Sequence, residues 1–195
     1  LQIDPALLGV YVSLTSAAAL FVQTGCGSFI LRYGALRLSQ FALVSLSAGI
    51  AMAAHGSLVM FGLSAIIAGG AALSTPASSH LLGRYSSAKY MPLVFSIKQT
   101  AVPSGMLLAG LLGPFFTEWI GWRGALLLVA GACTVFAVML EPLHKEFDSD
   151  KDMTRKFRLS DFKGTIGLAI GEPEMRNLSI ACFAFNGLQA MFTTY

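Results

Sequence analysis

From Tyr90 to Thr117 the sequence carries one charge, Lys98, with Gln99 beside it. About 20 residues rising about 1.5 Å each cover the hydrocarbon core of a bilayer, so the run is long enough to cross one. It is also rich in small residues, among them Ala101, Ser104, Gly105, Gly110 and Gly113. Small residues suit a helix packed against others in lipid, where close backbone approach replaces the hydrophobic effect as the driving force. An ionisable group deep in such a helix is costly. That cost marks Lys98 as a functional candidate.

The other apolar runs have the same character. The chain is 55% hydrophobic and 12% charged, whereas about a quarter of the residues of a soluble domain are charged. These values predict an all-α, polytopic transmembrane helical bundle. The net charge of +3 is gathered in loops, so it reports topology rather than a nucleic-acid partner. Cys26, Cys133 and Cys182 all sit inside apolar runs with no metal-ligand or redox spacing. They read as packing residues, and nothing in the sequence calls for a metal or cofactor.

Asp4-Pro5 reads as an N-cap followed by proline at the first helical position. Spans follow at about 6–31, 38–54, 58–82, 91–117 and 124–140. The chain thus divides into a five-span bundle over 1–143, a charged connector over 144–176, and the start of a further helix over 177–195. Within the connector, Lys151–Lys163 mixes basic and acidic residues, which favours a solvated segment over a membrane-surface one. The segment reads as open at both ends. Arg32 and Arg37 lie in one loop, Arg84 and Lys89 two loops on, and 144–176 carries the most basic residues. The intervening loops hold almost none, so the basic loops are expected on the cytoplasmic side of an inner (plasma) membrane.

Three local patterns carry a family resemblance. Gly27 to Arg37 resembles the loop between helices two and three of the major facilitator superfamily, with Gly27, Arg32, Gly34 and Arg37 in place. Leu31 stands where the family usually has an acid, and Leu36 replaces one basic position. Ala68 to Pro76, followed by Arg84, resembles helix four; Lys98 to Gly105, through Gly121-Trp122-Arg123, resembles helix five and the entry to helix six. The resemblance implies helices two to six, the central loop and the start of helix seven of a bundle of the major facilitator type, incomplete at both ends. It also implies secondary transport by alternating access, with a small-molecule solute and the lipid bilayer as partners, and a proton as a conceivable coupling ion. Ser96 to Arg123 is similar to the cyanate-transporter-like branch, which implies a small organic molecule or anion.

The substrate-binding candidates are Lys98, Gln99, Asn186 and Gln189. Lys98 lies about 10 Å along its helix from Met91, within reach of a central cavity, yet near enough to the headgroups to snorkel or to pair structurally with a helix end. Gln99 serves either a cavity or a neighbouring helix. Asn186, Gln189 and Thr193 share one face of the last helix. They must meet protein or water, as substrate contacts or as hydrogen-bonding glue. His80 reads as interfacial. In the family the loop holding Arg32, Gly34 and Arg37 latches one half against the other; a plain topogenic arginine pair is the alternative. A membrane-embedded enzyme, or a non-transporting signalling or scaffold protein, is the rival to a transporter. An enzyme needs facing catalytic groups that no spacing here supplies.

Overall fold

In the computed structural model the described residues are 5–149, 167 and 170–194. Asp4 of the expected N-cap, Lys151–Lys163 and Tyr195 lie outside them. The chain forms two compact units, Leu1–Arg155 and Lys156–Tyr195. The described elements are helical.

The first unit begins with α1 (Pro5–Thr24) and α2 (Cys26–Tyr33), separated only at Gly25. Next come α3 (Ala35–Ala54), α4 (Leu58–Gly69), a 3-10 turn (Gly70–Leu73), α5 (Ser74–Tyr85) and α6 (Met91–Met139). A second 3-10 turn (Glu141–Leu143) and the short α7 (His144–Phe147) complete it. In the second unit α8 spans Pro173–Thr194. Four helical stretches, Leu7–Thr24, Ala35–Ala54, Leu58–Tyr85 and Met91–Phe147, are long and apolar enough to cross a membrane.

Several boundaries differ from the sequence reading, each for a local reason. The basic turn expected over Arg32–Arg37 shrinks to Gly34, at φ 96° and ψ 149°. A side chain is strained in that conformation, so one glycine reverses the chain and both flanking helices run up to it. Within the charged, tryptophan-bearing segment 118–123, α6 breaks into two helical limbs at Gly121, at φ 74°. At about 1.5 Å per residue an unbroken α6 would exceed any bilayer. Its contacts show that it folds back. Lys98 near its start bonds to α5, and Gln40 and Ser47 of α3 bond to Ala137 and Ala130 near its end. Tyr90, just before α6, lies five residues after Tyr85, whose ring meets Phe147 beyond the helix end. Both ends of α6 therefore lie at one end of the bundle.

Small residues let the helices approach. A Cβ on Gly69 would sit 2.5 Å from the Ala18 Cβ of α1, and one on Gly70 would sit 3.0 Å from Ser45 Oγ of α3. Gly49 of α3 is equally tight against Ala68 of α4. Gly105, Gly110 and Gly113, which read as packing residues, meet nothing within 4 Å among the described residues. Between α3 and the returning limb of α6 the contact is partly polar. Ser47 Oγ donates to the Ala130 carbonyl at 2.7 Å and shares a 2.8 Å bond with Thr134. Ile30, Ala35, Leu38, Ala42, Leu73 and Ala77 form the apolar core that joins α2, α3 and α5.

Candidate functional site

Two places in the first unit concentrate polar groups. One is a seam along the α4–α5 break. Pro76 has no N–H, so the Ala72 carbonyl one turn earlier loses its helical donor; Gln23 Nε2 of α1 donates to it instead, at 3.3 Å. Thr75 and Ser79 continue the same face of the helix. Lys98 Nζ reaches across from α6 and donates to Ser79 Oγ at 2.5 Å and to the Thr75 carbonyl at 2.9 Å. Ser78 Oγ and Ser79 Oγ also donate to that carbonyl, at 3.1 and 2.9 Å. The Lys98 ammonium is turned onto the neighbouring helix. Gln99 is exposed beside it, and Pro103 leaves the Gln99 carbonyl without its helical donor as well.

The second place lies around Gly34. As the residue preceding α3, Gly34 has no side chain with which to cap the helix. Asp148, just beyond α7, caps it from a distance. Its carboxylate accepts the Leu36 and Arg37 N–H groups at 2.7 and 3.0 Å. These are the second and third helical residues, which a local cap would bond. Asp148 is 2% exposed, and a Cβ on Gly34 would collide with its carboxyl group. Arg37 forms a two-pronged pair with Glu141, at 2.7 and 2.8 Å. Gln40 Nε2 donates both to Glu141 Oε2 at 3.1 Å and to the Ala137 carbonyl in the last turn of α6 at 3.0 Å. Each helix end thus satisfies the other's orphan backbone groups. Arg84 donates to Ser149 Oγ at 3.1 Å, and Arg32 lies over the Tyr33 ring at 5.3 Å.

The sequence candidates fall into separate groups. Lys98 and Gln99 share the seam. Arg32, Gly34 and Arg37 belong to the capped turn, where Arg37 is held by Glu141 within the same unit. Asn186 and Gln189 belong to α8 in the second unit, where Asn186 Nδ2 donates to the Cys182 carbonyl of its own helix and Gln189 is exposed. Thr75, Ser79, Gln40, Glu141 and Asp148 did not stand out in the sequence. Pro76 signals the acceptor that Gln23 meets, since every helical proline frees a carbonyl. No signal pointed to Asp148, which lies more than a hundred residues from the turn it caps.

Four helical stretches long and apolar enough to cross a membrane define the class of polytopic membrane proteins. The chain matches the family model of the Major Facilitator Superfamily over residues 1–195, and it belongs to that family. No curated protein and no solved structure matches it.

Proposed function

We propose that the protein is a secondary active transporter that moves a small organic solute or anion by alternating access, and that the α4–α5 break and Lys98 line its path. The observation that carries this reading is the polar seam at that junction. The 3-10 turn at Gly70–Leu73, the carbonyl freed by Pro76 and the Lys98 ammonium all lie within stretches long and apolar enough to span a membrane. A carbonyl freed at membrane depth has to find its partner in protein or in a water-filled cavity. The likeness of Ser96–Arg123 to the cyanate-transporter-like branch supports a small solute. The loop charges support an inner-membrane placement with Gly83–Lys89 and the connector in the cytoplasm.

The test uses the intact protein with Cys26, Cys133 and Cys182 replaced by serine and Gln99→Cys introduced. In sealed vesicles of either orientation, a membrane-impermeant maleimide should modify position 99 from both faces while the vesicles hold trapped sucrose. Labelling from one face only, or sucrose leakage, contradicts alternating access.

A further inference from the structure

We infer that Lys98 is an anion site selective for singly charged solutes, with Ser79 and the Thr75 carbonyl as its resting cradle; this rests on the transporter reading and names the substrate class. Every polar partner of the Lys98 ammonium is neutral: a serine hydroxyl at 2.5 Å and a backbone carbonyl at 2.9 Å. The Phe95 ring, 5.9 Å away, adds no formal charge. Among the described residues no carboxylate pairs with it; the ion pairs seen there join Arg37 and His144 to Glu141 at the other polar cluster. The seam therefore holds one positive charge that no carboxylate of the described residues neutralises, and an anion brought to it would be its first counter-charge.

The hydrogen-bond count shows why the cradle yields to a ligand. An ammonium has three donors, and the two acceptors leave one unspent. The Thr75 carbonyl has two lone pairs, yet Ser78 Oγ, Ser79 Oγ and Lys98 Nζ all point at it. These three join the helical Ser79 N–H at two sites, so the lysine's share is weak and readily exchanged for a carboxylate, which makes the stronger charge-assisted bond. Ser79 gives up little by this exchange, because its hydroxyl already donates to Thr75. One cation with no second basic side chain bonded in the seam matches a monoanion. A dianion would bring a surplus negative charge into the same region.

The probes are formate, acetate, propionate and lactate, each paired with its neutral amide, and succinate as the dianion. Binding is read as the rise in melting temperature of the intact, purified protein with probe concentration. Monoanions should stabilise the wild type, and amides and succinate should not. Lys98→Gln should weaken monoanion binding about ten- to a hundred-fold, the worth of a charge-assisted bond. Lys98→Arg should retain it. Ser79→Asp places a built-in counter-ion against the ammonium and should abolish binding even if Lys98→Gln fails to fold. Stabilisation by none of the four monoanions, stabilisation equal to that by the amides, or equal binding by wild type and Ser79→Asp would overturn the assignment. Two-sided labelling of position 99 alongside such a result would leave the transporter reading standing, whereas one-sided labelling would remove that reading itself.

Discussion

Truncating Asp148 should loosen the start of α3 in a way that can be read amide by amide. The carboxylate is buried and accepts two backbone N–H groups, those of Leu36 and Arg37. Hydrogen bonds to a charged acceptor are worth about 1.5–3 kcal/mol each, and a lost N-cap costs about 0.5–2 kcal/mol. Water entering the space vacated by Asp148→Ala recovers part of the loss, so a net cost of about 2–4 kcal/mol is expected. If that cost falls on local opening, hydrogen–deuterium exchange at Leu36 and Arg37 should speed up about 30- to 1,000-fold. Asp148→Asn retains one acceptor oxygen and should fall between the two. Gly34→Ala should be at least as damaging, because it combines a strained backbone with a collision against Asp148. The measurement is exchange mass spectrometry on the intact protein in nanodiscs. Protection at Leu36 and Arg37 within threefold of wild type in Asp148→Ala would refute the cap.

Three other outcomes follow from the same geometry. Gln23→Leu should lower stability by about 1–2 kcal/mol by orphaning the Ala72 carbonyl, and Pro76→Ala, which restores the helical donor, should rescue part of that loss; strict additivity in thermal melts of the double mutant would contradict the link. Gly69→Ala should cost about 1–3 kcal/mol through overpacking against Ala18 of α1, read as a lower melting temperature, and Ala18→Gly should recover only part of it, because the Thr15 carbonyl and the Ala19 amide also lie 3.0 Å from the added Cβ. Ser87→Cys, in a background without native cysteines, should react with an impermeant maleimide only from the cytoplasmic face; labelling from outside unpermeabilised cells would invert the topology.

The membrane-embedded, all-helical class was legible because burial in lipid needs long uncharged runs, and such runs are visible without any tertiary information. Lys98 stood out for the same reason: it is the one charge in its run. Its partners were hidden, since Ser79 and Thr75 are ordinary polar residues of a helix whose facing only packing decides. The turn at Gly34 was placed but made too long. A single positive-φ glycine reverses the chain, and the flanking arginines, which suggested a loop, sit on helix ends. The absence of an acid at Leu31 weakened the likeness to the family's loop; the structure puts the Asp148 carboxylate on the following helix start. The distance along the chain from Asp148 to Arg37 is bridged only once α6 folds back at Gly121, and no local pattern reports that.

The central claim is that the Lys98 face of α6 borders water rather than lipid. A nitroxide scan of residues 93–106 in the intact, reconstituted protein tests it by comparing collision with a water-soluble nickel chelate and with oxygen. Chelate access should follow a helical periodicity that peaks on the Lys98–Gln99 face, with oxygen access peaking opposite. Oxygen-dominated collision all around the helix, with no chelate maximum at positions 98 and 99, would contradict it.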